Sequence, residues 1–311
     1  MLRYKADRRT LLFVATYFGL FFTLWIWAPG DPLVAVPLIV ATSIFSWFCA
    51  VITHNTIHCP IFKRRGLNKA FQVVLTLSYG HPVSSFVSGH NLSHHRFTQQ
   101  DRDIMRTTKM RFRWNLLNLL FFVPKVAGVI TKTDMAFAKL MRKDRPGWFR
   151  QFAIEMAIFL AVSLTLLIID WKKALLYWYV PHLWAAWGII AINFLQHDGT
   201  DPDSPWNHSR NFVGRFFGWW TFNNGFHGIH HMHPNLHWSL LREAHARELG
   251  PHIHPALDQP SIFLYAWRAF IWPGKRLKFD GTPVVLPPDT PDRTWITGHE
   301  GRDQADALGA G

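Results

Sequence analysis

The stretch LVAVPLIVATSIFSWFCAVI, residues 33–52, contains no charged side chain. A helix needs about 20 apolar residues to cross the hydrocarbon core of a bilayer, and this stretch has that length. Three other apolar runs approach the same length, namely residues 11–28, 152–169 and 174–195. The sequence therefore predicts an all-α integral membrane protein with four transmembrane helices.

The links between these runs are short, which predicts that the four helices form two hairpins. Residues 29–32 (PGDP) separate the first two runs, and residues 170–173 (DWKK) separate the last two. Other apolar stretches are below the spanning length or are interrupted by polar residues or proline. They favour helices that lie on the membrane surface or pack beneath the spans, and they comprise residues 71–80, 116–130, 212–222 and 261–272.

Positive charge is unevenly distributed along this chain of 311 residues, which has a formal net charge of +13. Lys and Arg precede the first run and are numerous between the second and third runs. By the positive-inside rule, both termini and this central loop face the cytoplasm, and we expect a location in the inner membrane of a bacterium. The basic runs at 63–69 and 106–113 are expected to contact anionic lipids or an acidic electron-transfer protein, and no nucleic-acid partner is expected.

The domain organisation predicted from the sequence is one integral membrane domain, residues 1–279, followed by a tail. Residues 280–311 lose hydrophobic periodicity and are rich in Pro, Asp and Gly, which predicts a disordered segment. The two cysteines, Cys49 and Cys59, are too few for a disulfide framework or a cysteine-based zinc site.

Histidine is concentrated in short segments beside the predicted cytoplasmic ends of the spans. Residues three or four apart on a helix share a face, so HNTIH (54–58), HNLSHH (90–95) and HGIHH (227–231) each direct imidazoles to one side. On this reasoning His90 and His94 point together. A further histidine, His197, ends the fourth run.

Nine clustered histidines on one predicted face indicate metal binding. They exceed the four ligands of a structural zinc ion, which points to two metal ions. Asn55 stands where a zinc protease HExxH motif has Glu, so a hydrolytic zinc site is disfavoured. Imidazole suits iron, copper, nickel and zinc, and ligand chemistry leaves the element open. Asp103 and Asp198 are candidates to accept a hydrogen bond from the second nitrogen of a metal-bound histidine.

The three segments HNTIH, GHNLSHH and GFHGIHHMHP, in this order around two apolar hairpins, resemble the histidine boxes of the membrane fatty acid desaturase and hydroxylase superfamily. The stretches HNLSHHRFTQQDRDI and NNGFHGIHHMHPNLHWSLL are similar to the desaturase branch in particular. The resemblance covers roughly residues 10–270. It implies a histidine-rich catalytic cap on the cytoplasmic side of four spans, and a non-haem di-iron centre. Such a centre uses dioxygen and two externally supplied electrons to break an unactivated C–H bond.

The resemblance also implies roles for individual residues. The box histidines would be iron ligands, His197 an additional ligand from the last span, and Asn193 an amide that approaches the metal one turn earlier. Box two reads HxxxHH here, where many desaturases have HxxHH. The implied ligands are His54, His58, His90, His94, His95, His197, His227, His230 and His231.

The sequence favours a fatty acyl desaturase that acts on a long-chain acyl or other hydrophobic substrate. A hydroxylase or ketolase of lipids, alkanes or carotenoids is the close alternative, because both reactions begin with the same hydrogen abstraction. A metal permease or haem-binding bundle is less favoured, since its ligands would lie in mid-span, where only His182 is found. The chain has no CxxC pair, so we expect electrons from a separate ferredoxin, rubredoxin or cytochrome.

The charge asymmetry generates a testable topology. A reporter enzyme fused after residue 100, in the basic central loop, is expected to be active only as a cytoplasmic reporter, because Lys and Arg are retained on that side. The same reporter fused within residues 29–32 serves as the control and is expected on the opposite side. Periplasmic activity of the first fusion would refute the orientation.

Overall fold

The computed structural model describes residues 1–293 and Ile296, and most of these residues are helical. The α-helices are α1 (Asp7–Trp27), α2 (Pro32–His58), α3 (Arg65–Tyr79), α4 (His95–Phe97), α5 (Asn115–Asp144), α6 (Pro146–Lys173), α7 (Val180–His197), α8 (Arg215–Trp220), α9 (His227–Met232), α10 (Leu241–Ala244) and α11 (Ile262–Ala266). The strands are β1 (Asn211–Phe212) and β2 (Asp258–Gln259). The 3₁₀ turns are Val83–Ser85, Thr107–Lys109, Trp238–Leu240 and Pro255–Leu257, and the π-helical segments are Val87–His94, Ala174–Tyr179, His245–Leu249 and Trp267–Ile271.

Four helical runs in the described residues are long and apolar enough to cross a membrane, as expected of a membrane protein. They are α1, α2, α5 and the run Pro146–His197, which includes α6 and α7. The first predicted span lies in α1 except for its last residue, the second lies within α2, and the other two lie within Pro146–His197. At the position of α5 the sequence predicts a shorter helix, residues 116–130, on the membrane surface or packed beneath the spans. The helix instead continues through Pro124 for 30 residues, and membrane helices tolerate such a proline.

An aspartate side chain caps the N-terminus of the helix that follows each predicted turn. Asp31 Oδ1 accepts the backbone N–H of Leu33 at 2.9 Å. Asp170 leaves the helical conformation, with φ −158° and ψ 96°, and its Oδ1 accepts the N–H groups of Lys172 and Lys173 at 3.1 Å each. Each carboxylate thereby satisfies backbone donors that a helix N-terminus leaves unpaired.

The described chain forms two compact units, and the first comprises Met1–Val87 and Ala138–Ile189. In this unit α1 packs along α2, and α3 packs against α2 and α6. Residues on either side of the Asp170 break meet where Trp178 Nε1 donates to Ser163 Oγ at 3.0 Å. His182 is buried beside Trp178, and its Nε2 lies 2.9 Å from the Tyr17 hydroxyl. This hydrogen bond gives the mid-span histidine a structural role.

The second unit comprises Ser88–Phe137 and the chain from Ile190 onward, and it contains the two strands. Strands β1 and β2 are parallel, with Asn211 opposite Asp258 and Phe212 opposite Gln259. The aromatic core of this unit includes Phe122, which packs on Phe194 with ring centroids 5.0 Å apart. The sheet joins the segment that precedes α9 to the segment that follows α10, although these lie far apart in the sequence.

A buried ion pair at the end of α7 joins three segments of the second unit. Arg276 Nε lies 3.0 Å from each carboxylate oxygen of Asp198. The same guanidinium donates to the carbonyl oxygens of Met110 at 2.6 Å and Thr107 at 3.0 Å. Asp198 was a candidate partner for a metal-bound histidine, but the structure pairs it with Arg276. A sequence cannot show this contact, because the two residues lie far apart along the chain.

The first part of the predicted tail contacts the basic loop of the second unit. The carboxylate of Asp292 binds the guanidinium of Arg106 and lies 2.8 Å from Lys109 Nζ. The Thr290 carbonyl accepts from Arg106 Nη2 at 2.6 Å. Two cations of the basic run at 106–113 are therefore neutralised within the chain. The remainder of the predicted tail, residues 294–311 except Ile296, lies outside the described residues.

The Asp198–Arg276 pair generates a stability prediction. Arg276→Met leaves the Asp198 carboxylate buried without its cation, and breaking a buried pair in this way costs about 3–5 kcal/mol. We expect a clear fall in the unfolding temperature of the purified protein in detergent. The double variant Asp198→Asn/Arg276→Met removes both charges and should recover part of the loss. An unfolding temperature of Arg276→Met equal to that of the wild type would contradict the prediction.

Candidate metal centre

Three histidines of the HNLSHH motif lie on the π-helical segment Val87–His94 and the first residue of α4. A π-helix bonds residues five apart rather than four apart. His90 Nε2 accordingly lies 3.0 Å from His95 Nε2. The expectation that His90 and His94 point together was wrong, because it assumed an α-helical turn. The π-helical turn gives His90 and His95 a common direction.

The HGIHH motif forms α9, a helix of six residues that carries three histidines. His230 Nε2 lies 3.2 Å from His95 Nε2. His231 Nε2, on the next residue, lies instead 3.1 Å from His227 Nε2. Neighbouring residues of α9 therefore contribute to two different groups of nitrogens.

His197, the last residue of α7, joins the group around His227. Its Nε2 lies 2.8 Å from His227 Nε2, and its ring centroid lies 4.7 Å from that of His94. We call His90, His95 and His230 the His90 group. We call His94, His197, His227 and His231 the His94 group. In each group, one ligand atom from each histidine lies within 4.8 Å of the others.

The first unit contains the two histidines of the HNTIH motif, at the end of α2. Both side chains are buried, and their ring centroids are 5.4 Å apart. His54 Nδ1 lies 3.3 Å from Asn55 Oδ1. The pair keeps the one-turn spacing that the sequence predicts for two ligands on one face of a helix.

The spacing of nitrogens within each group fits metal coordination better than hydrogen bonding. His95 Nε2 lies close to the Nε2 atoms of both His90 and His230, and His227 Nε2 likewise has two such neighbours. An imidazole nitrogen carries either one proton or one lone pair, so it cannot make a full hydrogen bond to two neighbours. Two nitrogens bound to one metal ion at about 2.1 Å and at right angles are about 3.0 Å apart. The observed distances agree with this value.

The hydrogen bond between His94 and Asp103 determines which nitrogen of His94 faces the group. His94 Nδ1 lies 2.9 Å from Asp103 Oδ2, and a carboxylate only accepts, so Nδ1 carries the proton. Nε2 then presents a lone pair. This Nε2 is buried and makes no hydrogen bond to any residue that the structure describes. A buried acceptor without a donor costs about 1–3 kcal/mol, which a bound metal ion would offset.

Asp103 is fully buried and stays ionised. Burial by itself would raise the pKa of this carboxyl, but its interaction and hydrogen bond with His94 and the hydrogen bonds from the backbone N–H groups of Gln99 and Met105 outweigh burial. The pKa is therefore held below its ordinary value. An ionised carboxylate that accepts from a ligand's second nitrogen fixes the ring and makes it a stronger donor to a metal. The sequence prediction for Asp103 agrees with this contact.

Two other histidines of the His94 group, His197 and His231, also lie in surroundings that favour a neutral ring. His197 Nδ1 donates to the carbonyl oxygen of His208 at 3.1 Å, which leaves the lone pair on Nε2. Burial and the neighbouring histidines lower the pKa of His231 well below its ordinary value. A histidine must be neutral to bind a metal, so the environment favours the ligating form.

Asn193 lies one turn before His197 on α7 and is buried. Its Nδ2 donates to the Met105 carbonyl at 3.3 Å, and the Met105 N–H donates to Asp103 Oδ1 at 2.8 Å. The amide therefore binds the loop that carries the partner of His94. No pattern in the sequence indicates this contact, since Met105 belongs to no motif.

Arg210 also supports the site, although no motif in the sequence includes it. Its Nη1 donates to the carbonyl oxygens of Leu195 at 2.8 Å and Asp198 at 2.9 Å, at the C-terminus of α7. Its guanidinium lies over the ring of Tyr265, 4.4 Å from the centroid. A cation that binds the last carbonyls of a helix stabilises that end, here the end that carries His197. No local pattern marks Arg210, which follows a loop outside the helix.

A model of the fatty acid desaturase family matches residues 30–259, which contain all nine of the histidines predicted as ligands. The chain belongs to this family. It is therefore an oxidoreductase, and the resemblance found in the histidine motifs is confirmed. The matched region ends at Gln259, in β2, and so includes the whole of the His90 and His94 groups.

Individual desaturases also resemble the chain. A fatty acid desaturase of Bacillus subtilis (strain 168) is 23% identical over 317 aligned residues, covering 89% of this chain and 87% of that protein. Delta(12) fatty acid desaturases of Mortierella alpina and Mortierella isabellina are 32% and 31% identical over 134 residues, which is 38% of this chain and 32% of each fungal protein. The similarity to the bacterial desaturase thus extends over most of both chains.

The Asp103 contact generates a prediction for metal affinity. Asp103→Asn removes the charge that holds the His94 ring, and such losses typically lower metal affinity by about 10–100-fold. Metal retained per chain after competition with a chelator measures the effect. Asp101→Asn is the matched control, because Asp101 lies in the same loop but pairs with Arg293 at 3.0 Å. Equal metal retention in the two variants would contradict the assignment.

Proposed function

We propose that this desaturase is an oxygen-dependent di-iron enzyme that introduces a double bond into a long fatty acyl chain. The observation that carries the proposal is the convergence of imidazole nitrogens, most of them from buried histidines, into the His90 and His94 groups, in a chain of the fatty acid desaturase family. Two groups support two metal ions. Iron is favoured over other metals that bind imidazole because of the family.

We propose that the iron ligands are the nine histidines predicted from the sequence. The distances within the His90 and His94 groups support seven of them, and the buried pair His54 and His58 is proposed from its motif. Asn193 is proposed to approach the metal with its amide, in addition to its bond to Met105. The proposed ligands are His54, His58, His90, His94, His95, His197, His227, His230 and His231.

Bound iron would supply the redox chemistry by which dioxygen, two electrons and two protons convert adjacent methylene groups into a carbon–carbon double bond and two water molecules. The residues around it hold the rings in place and keep them neutral. Asp103 retains the Nδ1 proton of His94, and the His208 carbonyl retains that of His197. Five of the seven histidines in the two groups are buried, which limits the access of water to the oxidant that the metal centre would generate.

The substrate class and partners follow from the membrane helices and the family. A long acyl chain partitions into the bilayer, where four apolar helical runs can receive it. Electrons are proposed to come from a separate ferredoxin, rubredoxin or cytochrome. We propose a location in a bacterial inner membrane, with the histidines on the cytoplasmic side, because the Lys and Arg residues of the central loop favour that side.

The test is product analysis in a bacterial host that expresses the chain. Mass spectrometry of the extracted lipids is expected to show a new double bond that depends on oxygen. His94→Ala and His230→Ala, one from each group, should abolish the product and lower the iron content, while membrane insertion is unchanged. His252→Ala is the matched control, because His252 is exposed and stacks on Trp206, 4.4 Å between ring centroids, outside both groups. A hydroxylated product in place of the double bond would show a hydroxylase, and full activity of either alanine variant would refute the ligand assignment.

A further inference from the structure

Helix α9 supplies three proposed ligands, yet it has little stability of its own. It is six residues long, and Phe226 before it supplies no side-chain cap. Isolated helices shorter than about 12 residues are marginal in water, and the first N–H groups of any helix lack partners within the helix. The position of α9 therefore depends on contacts from other segments.

Asn211 of β1 supplies the missing cap. Its Oδ1 accepts the N–H of Gly228, the second residue of α9, at 2.8 Å. Asn211 is 0% exposed. A Cβ at Gly228 would lie 2.6 Å from Leu249 Cδ2 and 3.3 Å from Asn211 Oδ1, so a side chain there would displace Leu249 and crowd the capping oxygen. The glycine permits the close approach that this hydrogen bond requires.

The other end of the Asn211 amide is held by two further residues. Asn211 Nδ2 donates to Asp258 Oδ1 at 2.9 Å, and the two residues are paired in the β1–β2 sheet. Asp258 Oδ2 accepts from His245 Nε2 at 2.9 Å. Because a carboxylate only accepts, His245 must donate from Nε2, and the amide of Asn211 must turn its oxygen towards α9. The direction of each hydrogen bond is thus set by the carboxylate of Asp258.

His245 and the segment that it begins also contact the start of α9. It begins the π-helical segment His245–Leu249, whose last residue packs on Gly228. Its ring lies 5.1 Å from that of Phe226, the residue before α9. The polar contacts and the packing contacts therefore meet at the same end of the helix.

We infer that Asn211, Asp258 and His245 form a positioning relay that sets the rotation of α9, and through it the directions of three proposed ligand rings. None of the three residues belongs to the His90 or His94 group, so their role is to position ligands and not to bind metal. Because α9 contributes to both groups, one relay would orient ligands of both metal ions. This inference rests on the proposed metal centre.

An exchange of the two side chains tests the relay. Asn211→Asp sets two carboxylates against each other where the structure has a 2.9 Å hydrogen bond, so α9 should shift. The double variant Asn211→Asp/Asp258→Asn exchanges donor and acceptor and restores every bond. The carboxylate at position 211 accepts from Gly228 and from the amide at position 258, whose oxygen accepts from His245. A double-mutant cycle isolates this interaction.

The measurements are metal affinity, by competition with a coloured chelator, and the visible d–d absorption of the cobalt-substituted protein. We expect Asn211→Asp to lower affinity by about 10–100-fold, as other losses of ligand-orienting contacts do, and to change the cobalt spectrum. The double variant should recover both. Asn118→Asp is the matched control, since Asn118 is also 0% exposed and binds the backbone of Phe112 with both amide atoms. It is expected to lower the unfolding temperature and leave affinity and spectrum unchanged.

Variants at the far end of the relay serve if Asn211→Asp does not fold. His245→Leu removes the donor to Asp258 and should weaken metal binding, whereas His245→Gln keeps an amide donor and should recover it. The inference is overturned if Asn211→Asp binds metal as tightly as the wild type, if neither the exchange nor His245→Gln restores affinity, or if the wild-type chain binds no metal. A wild-type chain that binds metal but forms no double bond would refute the proposed function alone.

Discussion

The proposed metal centre depends on a constraint of the imidazole ring, which offers a lone pair on one nitrogen only when the proton is held on the other. In the second unit Asp103 holds the proton of His94, and the His208 carbonyl holds that of His197. Burial adds to this constraint, since it penalises the protonated ring and lowers the pKa of His231. The local structure around the His94 group therefore serves to keep its rings neutral and correctly turned.

Six of the nine proposed ligands lie on short or irregular segments rather than on long, regular helices. The π-helical segment Val87–His94 is fastened where Ser93 Oγ donates to the Arg102 carbonyl at 2.9 Å and accepts the N–H of Ile104 at 3.1 Å. Helix α9 has only six residues and depends on Asn211. Such segments cannot hold their geometry alone, because a short helix forms too few hydrogen bonds to repay its ordering entropy. Buried polar side chains from elsewhere in the second unit supply the missing constraint.

Charged side chains in the second unit follow the same principle. Asp198 is buried with Arg276, and Asp292 is bound to Arg106 and Lys109. Burying a charge without a partner is costly, so each buried cation of this loop meets a carboxylate or carbonyl oxygens. These contacts draw the segment that follows the last helix onto the loop that carries Asp103. Basic residues in the sequence therefore need not face lipid or a partner protein.

The sequence by itself determined the helical membrane class, the desaturase family and the set of candidate ligands. These conclusions rest on two local signals, an uncharged run of about 20 residues and a histidine spacing of one helical turn. Each can be recognised within a single segment. Only the tertiary structure decided that His90 pairs with His95, that Asp198 binds Arg276, and that α5 extends to 30 residues. The contacts of Asn211 with Gly228 and Asp258 are of the same kind. They join residues that are distant along the chain, or depend on a π-helical turn that its neighbours impose, so no local pattern in the sequence records them.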